Sequence, residues 1–91
     1  MNKQELITNM SEKSNLTKKD TELALNAFME TVEETLGTGD KVQLVGWGTF
    51  LTRERAARIG RNPKTKEEIQ IPASTVPVFK PGKAFKERVN K

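Results

Sequence analysis

Neither cysteine nor histidine occurs among the 91 residues. Without thiols there is no disulfide framework and no thiolate metal site, which fits a reducing compartment. Without imidazole, and with Asp20 and Asp40 the only aspartates, neither a nucleophile with its base nor a metal-ligand cluster can be assembled. The expectation is therefore no enzyme, no metal, no cofactor and no small-molecule substrate. No apolar run approaches the ~18 residues of a membrane span. The N-terminus also lacks the apolar core of a signal peptide, so a soluble protein of the cytoplasm with no membrane partner is expected. Aromatic residues are scarce, four phenylalanines and one tryptophan.

What is abundant is charge, and it is segregated. Residues 1–40 hold four lysines against eight acids, net −4, while residues 41–91 hold twelve basic residues against four acids, net +8. Such a split presents a basic surface to a polyanion and keeps an acidic part away from it. The densest basic stretch, RERAARIGRNPKTK from Arg53 to Lys66, holds six basic residues and one acid in 14 positions. Its middle, Gly60-Arg61-Asn62-Pro63, is loop chemistry: glycine permits positive φ, and proline fixes φ and has no backbone N–H. The stretch reads as the tip of a projecting hairpin, with Pro63 at the second position of a turn Asn62-Pro63-Lys64-Thr65.

In chain order, Asn2 followed by Glu5 resembles a capping box, and Leu6, Ile7 and Met10 recur at helical spacing, predicting a helix from about Lys3 to Lys13. Ser14-Asn15-Leu16 breaks it. Thr17 then offers a fresh N-cap with Asp20 in the first turn. Leu25, Phe28, Met29, Val32 and Leu36 form one stripe of a second amphipathic helix, which Gly37 is expected to end in a left-handed conformation. A DNA-reading helix-turn-helix is the tempting interpretation of this pair. Five carboxylates on the second helix (Asp20, Glu22, Glu30, Glu33, Glu34) argue against placing it among phosphates, so the stripe is assigned to core or dimer seam.

After Asp40 the period changes to two. Val42 and Leu44 share one side of a strand, Gly46-Trp47-Gly48 turns the chain, and Thr49 to Ala57 resumes extended with Phe50 returning to the core. Glu68 to Ile71 forms the returning strand of the hairpin, and Pro72 marks an edge or bulge. Val76, Val78 and Phe79 re-enter the core. Pro81-Gly82 closes the sheet before a last helix, about Lys83 to Val89, expected to bury Ala84, Phe85 and Val89. The result is an α+β fold: an N-terminal helical hairpin (residues 1–40) under a three-stranded antiparallel sheet, a long β-ribbon arm (about 53–75) and a short C-terminal helix. All of it makes one domain over residues 1–91. If about 25 residues project as an arm, fewer than 70 remain for a core, so a core shared in an oligomer is expected.

The order of two helices, Gly46-Trp47-Gly48-Thr49-Phe50, a basic arm with Gly60-Arg61-Asn62-Pro63, and Phe79-Lys80-Pro81-Gly82-Lys83 closely resembles the bacterial HU and integration host factor family of DNA-bending, histone-like proteins, over essentially the whole chain. The resemblance implies an intertwined homodimer, or a close heterodimer, with two helical hairpins below a saddle of strands. It implies two arms that embrace double-stranded DNA in the minor groove, bending and condensing it in the bacterial nucleoid. Arm contacts would come from Arg53, Arg55, Arg58, Arg61, Asn62, Lys64 and Lys66, and Pro63 would wedge between base pairs. Nicked or flexible duplex would bind better than straight duplex. On the body, Lys3, Lys80, Gly82, Lys83 and Lys86 are candidate phosphate contacts. The expected dimer core contains Phe28, Met29, Val32, Leu36, Leu44, Trp47, Phe50 and Phe79.

Three positions depart from the family pattern. Relatives usually carry phenylalanine at Trp47, which here either stacks on a base or fills the core beside Phe50 and Phe79. Ile59 replaces what is often a basic residue. Lys66 stands where glycine is common, so the tip either turns differently or holds Lys66 in a strained backbone conformation. Sequence-independent binding is expected. The alternatives are a site-preferring subunit like integration host factor and, more distantly, a basic RNA-binding module, against which the few exposed aromatics weigh.

Overall fold

The computed structural model describes residues 1–90. The chain separates into two compact units, Met1–Glu34 and the part from Thr35 onward. The elements run α1 (Lys3–Ser14), α2 (Lys18–Gly37), β1 (Val42–Leu44), β2 (Gly48–Arg55), β3 (Arg58–Arg61), β4 (Glu68–Ile71), β5 (Ser74–Pro81) and α3 (Lys83–Val89). This is the expected α+β architecture. No helix among the described residues is long and apolar enough to cross a membrane.

Side-chain caps begin both helices of the first unit. Asn2 is the N-cap of α1, its Oδ1 accepting from the Glu5 N–H at 2.9 Å, and Thr17 Oγ1 accepts from the Asp20 N–H at 3.1 Å at the start of α2. Each bond satisfies one of the amide donors that a helix start leaves without an intrahelical partner. Between the helices Asn15 takes a left-handed conformation, φ 62°, which asparagine tolerates better than most residues. The Ser11 hydroxyl donates to the Leu16 carbonyl at 2.6 Å and fastens the connection. Buried Thr21 donates its hydroxyl to the Thr17 carbonyl at 2.8 Å, so its polar atom is satisfied.

Helix α2 extends to Gly37 rather than being stopped there by a left-handed residue. The positive φ falls two residues later, at Gly39 (87°), after the Thr38 and Gly39 N–H groups bond back to the carbonyls of Thr35 and Leu36. With two glycines in Gly37-Thr38-Gly39, the second takes the conformation that the first was expected to take.

In the second unit β1, β2 and β5 form an antiparallel sheet in that order, and β3 pairs with β4 as a separate ribbon. The sheet register aligns Val42, Phe50 and Phe79 in one row and Leu44, Gly48 and Pro81 in another. The turn into β2 closes through the Trp47 N–H to the Leu44 carbonyl, 3.0 Å, with Gly46 at φ 83°. Trp47 then packs against Phe79 (ring centroids 5.1 Å apart), Phe85 (5.3 Å, edge-on) and Phe50 (6.2 Å). Phe79 also meets Phe50 at 4.9 Å and Phe85 at 5.7 Å, so it and Trp47 each touch the other three rings. Gly48 makes room for it: a Cβ there would stand 2.5 Å from the Phe79 ring.

The expected continuous strand from Thr49 to Ala57 is interrupted. Strand β2 ends at Arg55, pairing with Ser74, and the ladder resumes at Arg58 opposite Ile71. Pro72 lies opposite this break. It has no N–H to donate to a ladder, so an interruption at this level is the natural outcome.

Burial within one chain is sparse. Ile7 is the one buried apolar side chain among the described residues. The residues assigned to a dimer core are half-buried (Val32, Leu36, Phe50, Phe79) or exposed (Phe28, Met29, Leu44, Trp47). In α3, Phe85 is half-buried as expected, but Ala84 and Val89 are exposed, correcting the burial assigned to them. A seven-residue amphipathic pattern identifies an apolar face without showing that the same chain covers it.

Candidate nucleic-acid interface

Strand alternation sorts the basic residues. Because successive side chains point to opposite sides of a strand, Arg53 and Arg55 share a side of β2 with Thr49 and Leu51, while Glu54 lies on the side of Phe50 and Thr52. Lys80 is paired with Thr49, which is itself paired with Gln43, so Lys80 joins the Arg53 and Arg55 side of the sheet. The three cations are exposed, and the one acid of the basic stretch is turned away from them. Gln43 and Thr49 complete a polar row that composition could not single out, since neither carries charge. The register across three strands reveals it.

The ribbon continues this pattern less strictly. Arg58 and Gly60 stand opposite Ile71 and Ile69, whereas Ile59 and Arg61 stand opposite Gln70 and Glu68. Arg58 and Arg61 therefore project from different faces. A Cβ at Gly60 would stand 3.0 Å from the Ile71 Cδ1, so a larger residue there would have to push the end of that side chain aside. Ile59 is two-thirds exposed, an apolar group on a strand otherwise ending in cations.

Beyond Arg61 the tip closes one residue later than the four-residue turn expected. The Lys66 N–H donates to the Asn62 carbonyl at 2.7 Å, and the Asn62 N–H donates to the Glu67 carbonyl at 2.9 Å. The Asn62 Oδ1 also accepts from the Lys64 N–H at 2.9 Å, a side-chain turn typical of asparagine before proline. Pro63, Lys64 and Lys66 are exposed at the end of the arm. Lys66 has φ 59°, so the chain keeps a left-handed residue where glycine is usual rather than turning another way. For a residue with a Cβ this conformation costs about 1–2 kcal/mol.

The body residues are distributed more widely. Gly82 is the N-cap of α3, but its N–H already donates to the Trp47 carbonyl at 2.7 Å. A Cβ on Gly82 would sit 3.0 Å from that carbonyl oxygen, so the close approach of these two backbones requires glycine. Lys83 and Lys86 are exposed and one turn apart on α3, hence on one side of it. Lys3 belongs to the first unit, where its Nζ donates to Asn26 Oδ1 at 2.7 Å. A neutral amide holds the lysine without cancelling its charge.

A family model described as bacterial DNA-binding protein matches residues 1–90. The chain belongs to that family. The DNA-binding protein HU of Clostridium pasteurianum is 74% identical over 91 residues, covering 100% of both chains. HU of Lactococcus lactis is 61% identical over 88 residues, 97% of each. Among solved structures, an Anabaena HU-DNA cocrystal superimposes with a TM-score of 0.91 at 52% identity, covering 99% of this chain and 98% of that one. HU from Thermotoga maritima gives 0.70 at 38% identity, covering 99% and 100%. The family resemblance read from the two glycine-flanked turns and the arm motif therefore holds along the full chain, as does the α+β fold it implied.

Proposed function

We propose that this chain is an architectural DNA-binding protein that bends and compacts double-stranded DNA as a dimer, without strong sequence preference. The carrying observation is the arm: a ribbon bearing exposed arginines and lysines that ends in a closed tip containing exposed Pro63. Cations paired with phosphates release condensed counterions, which drives binding irrespective of sequence. Pro63 has no N–H and so requires no hydrogen-bond partner between bases. Minor-groove architectural proteins, of which HU is itself an established instance, unstack base steps at a cost of about a few kcal/mol and gain contact with the bent duplex. Arg53, Arg55, Arg58, Arg61, Lys64 and Lys66 would follow the groove walls. Lys80, Lys83, Lys86 and Lys3 would hold the flanking phosphates on the body. Such a protein works in the nucleoid, within the cytoplasm, and has no catalytic chemistry.

The dimer rests on burial. A chain with one buried apolar side chain among its described residues and with Phe28, Met29 and Trp47 each more than two-fifths exposed lacks a sufficient core of its own. A second copy covering Phe28, Met29, Val32, Leu36, Leu44, Trp47, Phe50 and Phe79 supplies one.

A competition assay at fixed salt, using the purified chain, tests the reading. Nicked duplex should compete at least tenfold better than intact duplex, since a nick removes part of the deformation cost. Intact duplexes of unrelated sequence should compete equally. Preference for single strands over nicked duplex would instead favour the RNA-binding alternative.

A further inference from the structure

Within the stretch Arg61 to Gln70, every residue except Asn62 is exposed. Half-buried Asn62 uses three groups to close the tip: its N–H to the Glu67 carbonyl, its carbonyl from the Lys66 N–H, and its Oδ1 from the Lys64 N–H. Pro63 lies inside that closure, bonded to Asn62 on one side and to Lys64, whose N–H is held, on the other. The Asn62 carbonyl receives the bond from Lys66, whose left-handed φ of 59° persists only where surrounding interactions over-determine it. The Asn62 side chain thus holds the residue that follows the proline, while its main chain holds the strained Lys66 and the opposing strand.

We infer that Asn62 is a positioning residue: it acts on DNA through Pro63, by pre-forming the tip that aims the proline ring, rather than through a base contact of its own. The inference rests on the reading of Pro63 as a wedge. Its chemistry is acceptor chemistry. The Oδ1 that holds the Lys64 N–H can be supplied equally by a carboxylate, whereas a base contact through the side-chain Nδ2 needs a donor that a carboxylate lacks. A pre-formed tip also spares the ordering of a flexible loop at the moment of insertion.

The test compares the full chain with Asn62→Ala, Asn62→Asp and Pro63→Ala. In the free protein, amide exchange of Lys64 should quicken about five- to tenfold in Asn62→Ala, the effect of losing one net hydrogen bond, more than that of Lys66, whose N–H is held by the Asn62 main chain, and should stay near wild type in Asn62→Asp. On nicked duplex, Asn62→Ala should lose most of the bend that Pro63→Ala loses. Asn62→Asp should keep the bend while binding more weakly at low salt, because it adds a negative charge near phosphates. Unchanged exchange in Asn62→Ala would overturn the inference whatever happens on DNA. So would loss of bending in Asn62→Asp equal to that in Asn62→Ala, which would assign the residue a direct donor contact. An unchanged bend in Pro63→Ala would instead overturn the wedge reading itself, and the role through Pro63 with it, while the exchange data still report on the tip.

Discussion

Replacing Phe79 with alanine lowers the stability of the folded protein by about 3 kcal/mol or more, the cost of deleting a large aromatic from a packed site. The centroids of Trp47, Phe50 and Phe85 all lie within 5.7 Å of that of Phe79. Its ring also fills the space that Gly48 leaves open. Removing it leaves the turn before β2 joined to the start of α3 only by the Trp47–Phe85 ring contact and the Gly82 N–H to the Trp47 carbonyl. For a domain of this size each kcal/mol shifts the melting midpoint by roughly 4–8 °C, so thermal melting followed by circular dichroism should fall by on the order of 15 °C. Because the remaining rings are expected to meet a second copy, the midpoint of both proteins should rise with protein concentration. A loss below about 1 kcal/mol would show that the cluster is peripheral.

The second large effect concerns charge. Neutralising Arg55, Arg58 and Arg61 together to glutamine should weaken duplex binding by on the order of a hundredfold or more near 0.1 M salt, with little change in melting because all three are exposed. The diagnostic is the slope. Each phosphate that is no longer neutralised reduces the dependence of log affinity on log salt by about 0.9. Three arginines on each of two arms should therefore flatten the slope by roughly five. Glu54→Gln is the matched control: Glu54 stands on the sheet side opposite Arg53 and Arg55, so its removal should leave the slope nearly unchanged. A slope that steepens in Glu54→Gln in proportion to its gain in net charge would mean that net charge, not the arm geometry, drives binding.

Much of this was legible in the sequence because the relevant signals are local. The caps at Asn2 and Thr17 depend on spacings of three residues, and both bonds are present. The limits of β4 and α3 coincide with the expected ones, since turn residues and Pro81-Gly82 bound them. What the sequence could not reveal was set by partners distant in the chain. Pro72 breaks the ladder at the level of Ala56 and Ala57, where the strand itself carries no breaker. The stripe of Phe28 and Met29 announced an apolar face but not that each side chain stays more than two-fifths exposed in one chain. In Gly37-Thr38-Gly39 either glycine could take the left-handed position, and hydrogen bonds decided for the second.

The site was legible as composition and incomplete as geometry. Arg53, Arg55 and Lys80 were named as separate cations, and the register makes them one surface with Gln43 and Thr49. Lys66 was recognised as the position where glycine is usual, and the structure shows which outcome follows: the residue accepts the left-handed conformation instead of changing the turn. Asn62 was grouped with the arm's contact residues. Its three bonds to the tip, on which the inferred positioning role rests, are signalled by the pair Asn62-Pro63 only as a turn.

The central claim is that Pro63, carried by a charged ribbon, bends duplex DNA. The most direct measurement is the end-to-end distance of a dye-labelled nicked duplex by energy transfer at saturating protein, comparing the wild-type chain with Pro63→Ala. A wedging Pro63 predicts a pronounced bend with wild type and a much shallower one with Pro63→Ala, at unchanged melting temperature. Equal bends in the two proteins, or a straight duplex with both, would contradict it.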